Sequence, residues 1–316
     1  LMERDELPDG PDAFGILYTQ GRDVPFNQIA AVLADDAATV AEWPDSWEIS
    51  SFEAGQGPMD FTDSLVWRLD EFPSLLPSVE DRALFCQIRE ASSCLQSVRA
   101  KPGATAAALT RNESLLKRTQ WLRDTEVLRN AMPHSWAPMT GSPGALPLMT
   151  ARALAFAQRD ETTAISETCH DLMMWRRLAT NTNMLTFAIN GIRIAGEAYA
   201  RLLADMISEW PVDRPLPDAC AAALVPPAAE ELLFCNIARG EFEMNQRTLA
   251  DNQKLTSLYS NWLDRVGAKL LYNDQATVAE FANRWAPYCR TEQPGRQYHD
   301  IPNGSQALIR WACLGN

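Results

Sequence analysis

The chain has 316 residues, 46% of them hydrophobic, enough to bury a sizeable core in one large domain or two ordinary ones, which excludes disorder as the whole answer. Its 28 Lys and Arg stand against 41 Asp and Glu for a net charge of -13, so most of the surface repels a phosphate backbone and nucleic acid is not an expected partner. No apolar run of about 18 residues occurs, so no membrane span is expected; the most apolar windows, 184–194 and 224–234, are interrupted by Asn190, Gly191 and Arg193 and by Pro226, Pro227, Glu230 and Glu231.

The chain opens on Leu1-Met2-Glu3-Arg4, with no charged stretch leading into an apolar one, which leaves room for a removed N-terminal signal or anchor. Residues 1–78 are rich in Pro, Gly, Asp and Trp and read as an irregular lead-in with a few short elements, including a helix over 24–43. Trp43, Trp47 and Trp67 serve there as apolar anchors onto the core, since a segment with few regular hydrogen bonds needs large buried side chains.

Residues 79–316 read as a helical domain. Over 104–131, Ala107, Leu115, Leu116, Leu122, Val127 and Leu128 fall on a helical spacing with Arg111, Lys117, Arg118, Arg123 and Asp124 between them, which predicts one amphipathic helix or two. The four prolines and two glycines of 132–147 make a connector. Residues 146–158 and 161–179, separated by Arg159-Asp160, predict two antiparallel helices on a tight turn, and 181–210 adds a third and fourth segment stopped by Pro211, Pro215 and Pro217. Further helical pattern covers 226–267, 276–285 and 305–314, and alternating β-branched runs are missing. The expected fold is all-α: antiparallel hairpins in a TPR-like or irregular α-solenoid or bundle, although no repeat of about 34 residues is present.

Seven cysteines punctuate this domain, and six fall into local couples: Cys86 with Cys94, Cys220 with Cys235, and Cys289 with Cys313. Cα atoms must approach within about 7 Å to be bridged, whereas residues eight apart on one helix differ by about 12 Å in rise, so Cys86 and Cys94 require a backbone turn, which Glu90-Ala91-Ser92-Ser93 can supply. The other couples flank Pro226-Pro227 and the turn signals Pro294-Gly295 and Pro302-Asn303-Gly304. Three short disulfides with Cys169 left over as a buried thiol is the reading preferred, and it points to an oxidising compartment.

Residues 86–99, 115–122 and 171–178, Arg239-Gly240-Glu241-Phe242, 271–278 and Asn303-Gly304 follow one another in an order that resembles a group of uncharacterised proteobacterial envelope proteins. The resemblance covers about 80–316 and implies a periplasmic or single-anchor location in a Gram-negative envelope and a helical fold; it implies no catalytic residues.

Chemistry-bearing patterns are sparse. Glu167 and His170 make one half of a carboxylate-bridged di-iron pattern, but neither His134 nor His299 has a Glu three residues before it, so no metal is expected and His170 reads as solvent-facing or capping. Cys169 beside His170 does not make a thiol dyad, because adjacent helical residues point about 100° apart. Neither a Gly-x-Ser-x-Gly elbow nor a Gly-rich phosphate loop is present, and no cofactor is expected. Glu230 and Glu231 follow Pro226-Pro227, where a helix N-terminus favours acids. Glu241 and Glu243 with Arg239 form the preferred trio for acid–base work. Two functions are therefore expected in order: a non-enzymatic helical envelope protein with a protein partner in an interaction or scaffold role, and, as the alternative, a carboxylate-dependent hydrolase or lyase acting on an envelope glycan or small molecule through that trio.

Overall fold

A computed structural model describes residues 7, 9–46, 67–88, 93–132, 142–226 and 237–243. Among them every regular element is a helix, and extended pairing is confined to three isolated bridges. The all-α expectation is met. Eleven α-helices have their bounds among the described residues, in order: α1 (Phe14–Thr19), α2 (Ile29–Ser46), α3 (Val79–Arg82), α4 (Cys94–Ala100), α5 (Pro102–Arg111), α6 (Glu113–Gln120), α7 (Ala145–Ala157), α8 (Glu161–Thr180), α9 (Leu185–Arg193), α10 (Ala200–Glu209) and α11 (Ala219–Ala223), and a short helical piece covers 237–243. Short 3₁₀ turns cover Phe26–Gln28, Arg68–Glu71 and Trp121–Asp124, and a π turn covers Ile194–Tyr199.

Local chemistry sets most of these boundaries. The Ser78 hydroxyl accepts the Asp81 N–H at 3.1 Å and caps α3, and Pro102 opens α5 at the position where a missing N–H costs nothing. The predicted amphipathic stretch 104–131 is split: Asn112 stands between α5 and α6 with its side chain turned to Asp81 and to the Ala108 carbonyl, and beyond Gln120 the chain tightens into 3₁₀. The segments expected as a third and fourth helix run on without a break, α9 passing through the π turn into α10, and Pro211 ends the run as expected.

The hairpin expected over 146–179 is formed by α7 and α8. Its turn carries Arg159 at φ 74°, with the Asp160 N–H on the Ala155 carbonyl and the Arg159 N–H on the Phe156 carbonyl. That pair of bonds satisfies the last carbonyls of α7 and requires a left-handed residue where glycine is usual.

Helix α8 is the hub. It packs against α7, α9, α10, α11 and the π turn, and half of its twenty residues are buried, from Ala164 to Ala179. One face is tied by the segment that follows α10: Arg214 donates to the Thr162 hydroxyl, Cys220 bonds to Cys169, and Arg176 donates to the Val225 carbonyl at 2.6 Å. Thr162, Cys169 and Arg176 are spaced by seven, two helical turns each, so residues 210–225 run along one stripe of the helix.

Two disulfides are present among the described residues. Cys86 and Cys94 are joined as expected, with Cα atoms 5.3 Å apart. Cys220 is joined to Cys169, at a Cα separation of 5.0 Å, and not to Cys235. Cys169 is therefore not the spare thiol: its place on the hub helix, facing α11, brings it to Cys220 across 51 residues of sequence. Cys235, and the expected couple Cys289 with Cys313, lie outside the described residues. Two bridges of this kind fit a protein matured outside the reducing cytoplasm. No helix among the described residues is long and apolar enough to cross a membrane.

The lead-in is fastened to the helical part through backbone and buried polar groups. The Glu126 N–H bonds to the Pro11 carbonyl, the Ala13 N–H to the Val127 carbonyl, and the Leu128 N–H to the Asn181 carbonyl, so three distant segments lie side by side. Arg118, 3% exposed, reaches from α6 to the Val24 carbonyl and to Thr19 and lies over the Trp121 ring, which Phe26 meets edge-on. Asp36, fully buried on α2, accepts the Tyr18 hydroxyl at 2.8 Å and the Arg68 N–H at 2.6 Å, and so holds the 3₁₀ turn that starts after Trp67. Trp67 is buried, as an anchor should be; the side chain of Trp43 and the whole of Trp47 lie outside the described residues.

Candidate functional site

A dense group of ionisable side chains among the described residues sits on the face of α8 opposite its disulfide. Glu167 and Asp171 are four apart and so project together, towards α7 and the 3₁₀ turn Trp121–Asp124. Each of those elements supplies one arginine. Arg123 donates to Asp171 Oδ1 through Nε at 2.9 Å and pairs with Glu167 Oε2 at 2.7 Å; Arg152 donates to Asp171 Oδ2 through Nε at 2.8 Å and stands 3.1 Å from Glu167 Oε2. Two cations and two anions thus cancel in a region where Asp171 is fully buried. Burial pushes the Glu167 carboxyl up, but the hydrogen bond and charge of Arg123, with the charge of Arg152, outweigh it and hold the carboxyl below its ordinary value. Burial likewise works against the Arg123 cation, and Asp171 and Glu167 more than compensate.

At the buried end of the group, the π turn places Tyr199, whose hydroxyl donates to the Ala145 carbonyl at 3.2 Å and whose ionisation is suppressed by burial and by Asp171. At the outer end His170 is half exposed and stands 3.9 Å from Glu167. His170 faces solvent, as expected, and no metal-binding group of His, Cys, Asp and Glu occurs among the described residues.

The cluster escaped sequence reasoning because its members come from three elements. One signal was available: Arg152 is the lone charge within the apolar run of α7, and a lone charge on a core-facing helix has to be paired.

The trio Arg239, Glu241 and Glu243 lies on the short helical piece 237–243. Gly240 of this piece abuts the Asn183 carbonyl so closely that a Cβ there would sit 1.7 Å from it, and only glycine fits. That approach puts Glu241 over the start of α9, where Oε1 accepts the Leu185 N–H at 3.0 Å. A carboxylate at this position satisfies one of the helix's open donors and its dipole. Burial raises the Glu241 carboxyl above its ordinary value, partly offset by the Leu185 bond. Glu243 is exposed, so the structure does not turn both carboxylates into one cleft. Glu230 and Glu231 lie outside the described residues.

The chain matches no protein-family model, no curated protein and no solved structure.

Proposed function

We propose that the chain is a non-enzymatic, disulfide-braced helical protein of the Gram-negative periplasm or envelope, with an interaction or assembly role towards a protein partner. The observation that carries this reading is the engagement of its acid–base groups in internal bonds: Glu167 and Asp171 are matched by Arg123 and Arg152, and Glu241 caps α9. The charges of Arg123 and Arg152 hold the Glu167 carboxyl below its ordinary value, so it stays ionised and is a weak base for proton transfer near neutral pH. The two bridges support the compartment. Large apolar side chains left at the surface, Phe26, Leu76, Val79 and Val212, supply contact area for a partner.

The reading is tested in cells of the source organism. A photoreactive residue placed at Val79 or Val212 is expected to give one discrete protein adduct, while denatured, unreduced protein exposes no more than the three thiols outside the two bridges. Seven reactive thiols together with no adduct from any exposed position overturn it.

The hydrolase or lyase alternative draws on one observation, the raised carboxyl of Glu241, since a general acid must hold its proton. Glu241→Gln and Glu243→Gln variants that bind and turn over envelope glycans like the parent end that alternative.

A further inference from the structure

The two disulfides differ in how they sit in the fold. Cys169 and Cys220 are both fully buried, one on α8 and the other on α11, so no reagent meets that bridge while the helices stay packed. Cys94 is partly exposed and its partner Cys86 is buried, so the Cys86–Cys94 bridge is open from one end.

The backbone on each side of the shorter bridge is also held without it. The Cys86 N–H donates to the Thr150 hydroxyl on α7 at 2.8 Å, and Phe85 beside it lies in the core. On the other side the Ser93 hydroxyl donates to Asp205 at 2.6 Å, and Arg99 takes both oxygens of Glu209 at 2.8 and 2.6 Å, so α4 is fastened to α10. Leu95 and Val98 of α4 are buried as well. With the ends fixed to α7 and α10, cutting the sulfur–sulfur bond leaves the two cysteines in place, their Cα atoms 5.3 Å apart and within bridging range. The freed Cys86 thiol has the Cys94 carbonyl as an acceptor, 3.9 Å from its sulfur. A bridge that neither arm needs for its position is free to open and close without loss of the fold.

We propose that Cys86 and Cys94 are a redox-active pair that exchanges with a dithiol protein, while Cys169–Cys220 stays closed and keeps the fold. This role goes beyond the interaction reading and does not depend on it. A Cys-x-x-Cys partner suits the exchange, because such motifs supply a thiolate near neutral pH. That thiolate attacks Cys94 Sγ; the Cys86–Cys94 bond breaks, and the Cys86 sulfur leaves with the electron pair and takes a proton from water. The partner's second thiolate then attacks the partner's own sulfur in the mixed disulfide, and Cys94 leaves and is protonated in turn. The partner ends as a disulfide, two electrons have passed to this chain, and the reverse sequence re-oxidises it. The resting pair is the oxidised one.

The test treats the full oxidised chain with dithiothreitol under native conditions, blocks thiols with N-ethylmaleimide and maps them by peptide mass. Cys86 and Cys94 are expected to be labelled together at least about tenfold sooner than Cys169 and Cys220, with circular dichroism unchanged, and oxidised glutathione is expected to close them again. Opening of Cys169–Cys220 at the same rate or sooner, or loss of helix as Cys86–Cys94 opens, overturns the proposal. The exchange itself is read with reduced thioredoxin whose second active-site cysteine is changed to serine, which cannot resolve a mixed disulfide and is expected to remain covalently on Cys94. No adduct, or an adduct on another cysteine in place of Cys94, overturns it as well. In the single variants, Cys94 of Cys86→Ser is expected to take N-ethylmaleimide at least about tenfold faster than Cys86 of Cys94→Ser. Equal rates, or the reverse order, remove Cys94 as the sulfur attacked and overturn the mechanism; should either variant fail to fold, the measurements on the parent chain decide.

Discussion

Arg152 Nε lies 2.8 Å from Asp171 Oδ2, a charged bond between the two arms of the α7–α8 hairpin at a point where the carboxylate is fully buried. Arg123 approaches the other oxygen of the same carboxylate from outside the hairpin. Three elements are thereby joined at one residue, and the arrangement is neutral only while all four charges are present.

Removing one member exposes this dependence. Asp171→Ala leaves Arg123 and Arg152 buried with Glu167 as their remaining partner, and is expected to lower unfolding free energy by about 3–5 kcal/mol in urea titrations. Arg152→Ala, which leaves the fully buried Asp171 with Arg123 alone, is expected to cost a similar amount, and the conservative Arg152→Lys, which cannot reproduce the guanidinium's two-pronged geometry, to recover only part of it.

The two disulfides should differ in worth. Loop-closure entropy for Cys169–Cys220, 51 residues apart, is about 4 kcal/mol, against about 2.5 kcal/mol for Cys86–Cys94, eight apart. Cys169→Ser with Cys220→Ser should therefore lower the thermal midpoint more than Cys86→Ser with Cys94→Ser, as read by calorimetry. Cys86 is also held by its N–H on the Thr150 hydroxyl at 2.8 Å, so the shorter bridge should re-form readily after mild reduction.

Opposite pH dependences are expected from two glutamates. The Glu167 carboxyl is lowered in the folded chain, so its contribution is present above the ordinary glutamate value of about 4.5 and is lost as pH falls through the folded value. The Glu241 carboxyl is raised, so its contribution is present below about 4.5 and is lost as pH rises through the folded value. Between pH 3 and 7, thermal midpoints of Glu167→Gln should fall progressively behind the parent as pH rises, and those of Glu241→Gln should gain on it.

Arg159 holds the left-handed turn of the hairpin, where a side chain is disfavoured. Arg159→Gly should raise stability by about 0.5–1 kcal/mol in urea, the losses being an ion pair to Glu161 at 3.9 Å on an 89% exposed side chain and an attraction to the exposed Glu209. Arg159→Val, β-branched, should lower it.

Much of the fold was written locally. The period of residues 146–158 and 161–179, the two-residue break between them and the stop at Pro211 each follow from interactions within a few residues, and the helices appear where that pattern puts them. The Cys86–Cys94 bridge was legible for the same reason: eight residues with a turn among them leave few other partners. Glu241 was singled out by its carboxylate neighbours, yet what it does depends on Gly240 meeting Asn183, a contact between segments far apart in the chain.

Sequence alone thus determined the helical class, the hairpin and the short disulfide, because period, proline stops and loop length are local quantities. Tertiary structure alone decided that Cys169 pairs with Cys220 and that Arg123 and Arg152 share Asp171. Each of these turns on which faces of separate helices meet. The spacing along one helix states which residues share a face, but the packing of the whole chain chooses what that face touches.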